Sequence, residues 1–286
     1  MMNLDNLDVT TPDEIDAEIL RVMGNRGALY DVSSELIMLD NRPDFLKLHR
    51  RGSRAVGRPT GEPLKDATLL DSLGHLYVYI HLAWEIGILN TLTSCRRQNV
   101  SKAQLMEVFM AGQLTGGPRG AEATYRAVWM VLKDYQDAQE PAEFPDGWMP
   151  DAAAFRCGLD LSTDELTAAD YRALSGWYER TIGEVPKAVA FAARHQPYFL
   201  KAWRAKWEGA FSTGALPKQL WPYFQIRHCT VNGFRDGLRE AALLGKAWGM
   251  SREYIIHGVT SAAYYQNGLA VLHQAEDALS DILDSW

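Results

Sequence analysis

The segment Pro43-Asp44-Phe45-Leu46-Lys47 returns as Pro197-Tyr198-Phe199-Leu200-Lys201, and the likeness continues through Thr60-Gly61 and Thr213-Gly214 to Ser101 and Ser251. Phe199 follows Phe45 by 154 residues, Lys218 follows Lys65 by 153, and Ser251 follows Ser101 by 150. A likeness held over about seventy residues with so slow a drift is expected of a duplicated domain with small loop insertions. The drift is assigned here to about three extra residues in the first copy, near Thr93-Ser94-Cys95-Arg96-Arg97-Gln98.

With 286 residues, 47% of them hydrophobic, the chain can build two buried cores or one large one. The formal net charge is −7 and no run of lysine and arginine stands out, which argues against a nucleic-acid or anionic-membrane surface. Met1 to Thr11 is polar and acidic, and no apolar run approaches the roughly 18 residues that span a bilayer. The expectation is a cytoplasmic protein whose partners are small molecules or other proteins. Cys95, Cys157 and Cys229 are far apart and without Cys-x-x-Cys spacing, so they read as buried apolar thiols and not as a disulfide or zinc set.

Apolar residues recur at helical spacing almost throughout, and alternating strand patterns bounded by turn pairs are missing, so the fold class is all-α. Thr11-Pro12-Asp13-Glu14 reads as a helix start with Gly24 as its stop, and a second helix is expected over about 29 to 39. Each repeat then has a helix after its proline, a break at Arg58-Pro59-Thr60-Gly61 or Ser212-Thr213-Gly214, a long apolar helix, and a last helix opening at Ser101 or Ser251. Residues 136–160 are turn-rich and read as a linker. The domains are therefore 1–135, with its repeat core at 43–135, and 161–286, where Ser162-Thr163-Asp164-Glu165 and Thr167-Ala168-Ala169-Asp170 resemble capped helix starts.

At a spacing of 153, His75 falls on His228, and packing of two copies about a pseudo-twofold axis would bring these imidazoles together. Each is equally readable as a satisfied histidine at a helix start. Phe234, Leu238, Ala241, Gly245 and Trp248 form one apolar stripe in the second copy. At the same spacing His81 and Glu85 take the first two positions, an i, i+4 pair on one helical face. Imidazole beside a buried carboxylate suits proton transfer, which makes Glu85, His81 and His75 the catalytic candidates; the competing reading is a solvated surface contact. Tyr77 and Tyr79 could add hydroxyls to the same cavity or simply be core. Arg50 and Arg204 hold matching positions and either could bind a carboxylate, or both could lie on solvated faces. No His-x-x-x-His or acidic cluster stands at metal-ligand spacing.

Leu216-Pro217-Lys218, the break at Asn232-Gly233, the small residues from Ala241-Ala242 to Gly249, and Ser251-Arg252-Glu253-Tyr254-Ile255 resemble the core of the carboxymuconolactone decarboxylase and alkyl hydroperoxidase D superfamily. Gly74-His75-Leu76-Tyr77, Ser101 to Val108, and Thr115-Gly116-Gly117-Pro118 are similar to the same pattern in the first copy. The resemblance implies helical, duplicated subunits that form a homo-oligomer. The Cys-x-x-Cys and histidine of the peroxidase members fall on Phe234, Gly237 and Ala241 in the second copy, so thiol peroxidase chemistry is not expected. The decarboxylase branch moves protons on a lactone acid with glutamate and histidine and no cofactor; Glu85 stands where that branch has a helical glutamate, but the branch's histidine is absent. The expectation is a cofactor-free enzyme acting on a small cyclic or unsaturated organic acid, by lactone decarboxylation, isomerisation or ring opening, in aromatic catabolism. In this reading His228, Tyr77, Tyr79, Arg50 and Arg204 bind substrate. The alternative is a non-catalytic ligand-binding or assembly member, with Trp203, Trp207, Trp221 and Trp248 forming interfaces.

Overall fold

The computed structural model describes residues 2–7, 10–14, 17, 37–39 and 41–286, and every regular element among them is helical. A proline at the first helical position gives up an N–H that has no partner there, and Pro43 opens α1 (Pro43–Val56) in this way. A left-handed Ala83 ends α2 (Ala67–Leu82), Trp84 turns the chain, and α3 (Glu85–Arg97) follows. Ser101 caps α4 (Lys102–Lys133): its hydroxyl accepts from Gln104 N at 3.2 Å while Gln104 Oε1 accepts from Ser101 N at 2.8 Å. Gly117 and Pro118 kink α4. A second box, Thr167 with Asp170, starts α5 (Ala168–Ile182), and α6 (Lys187–His195) leads to the proline-opened α7 (Pro197–Ala210). A left-handed Gly233 ends α8 (Leu220–Asn232). Then come α9 (Arg235–Ala247), α10 (Arg252–Ala262), a π-helical turn over Ala263–Asn267, a short 3₁₀ turn, and α11 (Leu272–Asp284).

Elements that share a sequence signal also share geometry. Helices α1 and α7 both have 14 residues, and the residues before them, Arg42 (φ −146, ψ 64) and Gln196 (φ −145, ψ 58), enter the helix identically. Helices α3 and α9 both have 13 residues, each preceded by a left-handed cap, Ala83 (φ 54) and Gly233 (φ 68). Gly117 (φ 56, ψ −153) and Gly268 (φ 68, ψ −164) break the chain in the same backbone conformation, one that side chains disfavour. These last two are 151 residues apart where the preceding caps are 150 apart, and a π turn is what one inserted residue produces in a helix.

The spacing is 154 between the starts of α1 and α7 and 150 between the left-handed Ala83 and Gly233, so it changes ahead of α3 and not near Thr93 to Gln98. At the spacing of these two caps, His75 is matched by Gln225, His81 by Val231 and Glu85 by Arg235, and not by His228, Phe234 and Leu238.

One hydrophobic cluster draws on both runs of helices. Tyr77 of α2 stacks on Phe224 of α8 with centroids 4.9 Å apart. Buried Glu107 of α4 accepts from the backbone of Ala215 at 3.0 Å and Leu216 at 2.8 Å, and from the Thr213 hydroxyl. The segment 136–160 is tied to the same core by buried Trp148 and Phe155, each such burial contributing about 1.5–3 kcal/mol. Residues 162–165 form a turn in which Thr163 Oγ1 accepts from Glu165 N, not a helix start. Thr11 and Glu14 do form a reciprocal cap, with N···O distances of 3.0 and 3.3 Å. Gly24 and most of the helix expected near 29 to 39 lie outside the described residues. No helix among the described residues is long and apolar enough to cross a membrane. Cys95 and Cys229 are buried and Cys157 is half-buried.

Candidate functional site

Helix α2 is apolar at Leu69, Leu70, Leu73 and Leu76, yet carries Asp71, His75 and Tyr79 at i, i+4, i+8, which places the three on one face. Asp71 meets a buried polar cluster. Arg227 of α8 donates from Nη1 to Asp71 Oδ1 at 2.9 Å and to Ser261 Oγ at 2.6 Å. His257 Nε2 lies 3.6 Å from the same carboxylate, and its Nδ1 is 3.0 Å from the Tyr223 hydroxyl. Burial pushes the Asp71 carboxyl up, but His257, Arg227 and His75 together outweigh burial and hold it well below the usual carboxylate range. Gly74 makes the approach possible: a Cβ there would stand 2.5 Å from Arg227 Cδ.

Outside this cluster a cleft of about 1250 Å³ opens between α1, α2, α3 and the π turn. Arg50 and Arg54 of α1, Arg58 just beyond it, and Arg97 of α3 line it beside His49, Asp71, His75 and Tyr79. The guanidinium groups of Arg54 and Arg58 can each take a carboxylate through two parallel hydrogen bonds, which makes the cleft a place for an anion. His75 sits at its inner wall, stacked on Tyr79 (centroids 5.6 Å, 19°) and edge-on to Tyr265 (4.6 Å, 84°). Burial, then the positive charge of Arg227, pushes its pKa down to about 3, so the imidazole is neutral. Its ring bonds to the Asp71 backbone carbonyl, and its Nε2 is buried with no hydrogen-bond partner. Donation from Nδ1 leaves the Nε2 lone pair as the group presented to a ligand. The π turn brings Tyr265 and Gln266 to the cleft, and Tyr264 of the same turn donates to the His49 carbonyl at 2.7 Å.

The other sequence candidates lie elsewhere. The continuous helix expected through 81 and 85 is broken by the left-handed Ala83, so the two residues do not form an i, i+4 pair. Glu85 is 47% exposed and stands 3.6 Å from Arg126; neither it nor His81 lines the cleft. His81 Nδ1 lies 3.2 Å from the Thr115 carbonyl oxygen. Its ring packs edge-on against His228 at 4.3 Å, so His228 meets His81, whereas the ring contacts of His75 are Tyr79 and Tyr265. Burial, then the charge of His81, lowers His228 to about 4. Tyr77 is buried away from the cleft, with its hydroxyl 3.0 Å from Thr115 Oγ1 and accepting from Gln225 at 2.7 Å. Arg204 is fully buried, bonded to Glu208 at 2.9 Å and to the Phe155 carbonyl at 2.6 Å, and stacked on Trp177 and Trp207. Of the nominated residues, the cleft unites His75, Tyr79 and Arg50.

Sequence reasoning missed Asp71, Arg227, His257 and Ser261. The usable signal was a charge inside an apolar helical run: Asp71 among leucines, and Arg227 beside Phe224 and Ile226. No family model, no curated protein and no solved structure matches this chain. Among the described residues no group of His, Cys, Asp and Glu is arranged to hold a metal ion.

Proposed function

We propose that the cleft binds a small cyclic or unsaturated organic acid and moves a proton on it, in lactone decarboxylation, isomerisation or ring opening. The observation that carries this reading is His75, a neutral imidazole with an unpartnered Nε2 at the inner wall of an arginine-lined cleft. Arginines bind the carboxylate of the substrate, and the rings of Tyr79 and Tyr265 flank a flat, unsaturated body. A carboxylate beside the imidazole raises its pKa back toward the ordinary histidine range, so binding of the acid prepares His75 to accept the proton. Asp71, already ionised and fixed by Arg227 and Ser261, stays an electrostatic anchor.

On this reading the chain is a divergent member of the carboxymuconolactone decarboxylase and alkyl hydroperoxidase D superfamily, supported by two helix pairs, α1 with α7 and α3 with α9, matched in length and cap geometry. It acts in the cytoplasm as a homo-oligomer, for which exposed Tyr125, Trp129 and Met130 of α4 offer an apolar face. The test is turnover of a panel of lactone and dienoic acids by wild type, His75→Gln and Arg54→Gln. The expected result is a loss of about 10²–10⁴ in kcat for His75→Gln and a raised KM for Arg54→Gln. Equal turnover by wild type and His75→Gln removes His75 from the chemistry.

A further inference from the structure

A second cavity, about 130 Å³, lies between α5, α7, α8 and α9. Helix α7 brings Trp203 and Trp207 to it, α8 brings Trp221 and Gln225, and α5 adds Trp177 and Tyr178. The rings stand at several angles: Trp207 lies 8° from parallel to Trp203, 57° from Trp221 and 83° from Trp177, so they wall the space from different sides. Gly237 keeps the α9 wall bare, and Glu240 of α9 is its one carboxylate. Tyr178, Trp203 and Glu240 keep part of their surface accessible, so the cage can be reached from outside.

Glu240 is the ionisable carboxyl group that this cage's lining contains. Burial, then the carboxylates of Asp236 and Glu184, pushes Glu240 up to about 7, and no lysine or arginine among the described residues forms an ion pair with it. The nearest buried cation, Arg204, packs on Trp177 and Trp207 from outside the cavity lining and is committed to Glu208 and the Phe155 carbonyl. Cys229 and Tyr178, the other titratable neighbours of Glu240, are both pushed up by burial and stay uncharged. Aromatic faces around one carboxylate attract a cation. The lining offers few acceptors for an N–H, and the space suits a headgroup, since a drug-sized ligand fills about 300–1,000 Å³.

We propose that this aromatic cage binds a compact quaternary or trimethylated ammonium group, held by cation–π contact with the tryptophans and by the charge of Glu240. The site is separate from the arginine-lined cleft and stands or falls without it. Tryptophan fluorescence of the full chain, titrated at pH 8 with tetramethylammonium or choline and with the neutral isostere 3,3-dimethylbutanol, tests it. The expected result is saturable quenching by the cations with Kd of about 1 mM or tighter, and binding of the neutral isostere weaker by about tenfold or more. Glu240→Gln should weaken cation binding by roughly tenfold. Lowering the pH from 8 to 6 should weaken it in wild type but not in Glu240→Gln, because protonation removes the charge that the substitution has already removed. Equal binding of cation and isostere by wild type, or no saturable response to the cation, overturns the proposal.

Discussion

The arginine-lined cleft and the tryptophan cage are lined by residues that stand at recurring spacings along the chain. At the 154-residue spacing of α1 and α7, His49 and Ser53 of the cleft answer to Trp203 and Trp207 of the cage. At the 150-residue spacing that follows, Asp71, His75, Asn90 and Thr91 answer to Trp221, Gln225, Glu240 and Ala241, and Gly87 answers to Gly237. Positions at these spacings thus line a pocket in each run of helices. The cleft has about 1250 Å³ and carries arginines, whereas the cage has about 130 Å³ and carries indole rings and one carboxylate. Backbone geometry sets where a pocket stands, and side-chain volume and charge decide what it takes.

The largest expected effect comes from removing the feature that the cage lacks. Asp71→Asn leaves Arg227 buried without its counter-charge and should cost about 3–5 kcal/mol in urea denaturation. A loss under about 1 kcal/mol would show that Asp71 is not what neutralises Arg227.

Acidification tests the histidines. Their folded pKa values lie below the unfolded one, so between pH 6.5 and 5 the unfolded chain takes up protons that the folded chain refuses, and stability falls as pH falls. The loss is about 2 kcal/mol each for His75 and His228. Glu240 works in the opposite direction, since its folded form holds a proton up to about 7 while an unfolded glutamate has lost it near 4.5. Urea midpoints at pH 7.5, 6.5 and 5.5 should show a net loss that His75→Gln, which installs the residue found at 225, makes shallower and Glu240→Gln makes steeper.

The smallest effect concerns the matched helix caps. Ala83→Gly relieves a left-handed alanine and should stabilise by up to about 1 kcal/mol. Gly233→Ala should destabilise by a similar amount or more, because its Cβ would also stand 3.0 Å from Gln274 Oε1. Thermal denaturation of the two variants decides whether the caps are equivalent.

Much of the helical frame was legible in the sequence because its signals are local. Pro43, Pro197, Ser101, Thr167 and Gly233 each satisfy or release backbone groups within a turn, and each marks a helix end in the structure. Register was not legible. A shift of three residues in α2 carries a side chain to a neighbouring ridge: a spacing of 153 pairs His75 with His228 and sets His81 and Glu85 on the stripe of Phe234 and Leu238, whereas the caps Ala83 and Gly233 are 150 apart. Ala83 hid the helix break, because nothing in an alanine announces a left-handed conformation. Asp71 and Arg227 stand out singly as charges in apolar runs, but their pairing does not, because Asp71, Arg227 and His257 come from three helices that only packing brings together.

Amide chemical-shift mapping by NMR, with a dienoic dicarboxylate and with choline, decides whether the chain holds two pockets of opposite charge preference. The account predicts that the dicarboxylate shifts residues around Arg54, His75 and Tyr265 while choline shifts those around Trp203, Trp221 and Glu240. Overlapping shifts from both ligands, or shifts at neither pocket, would contradict it.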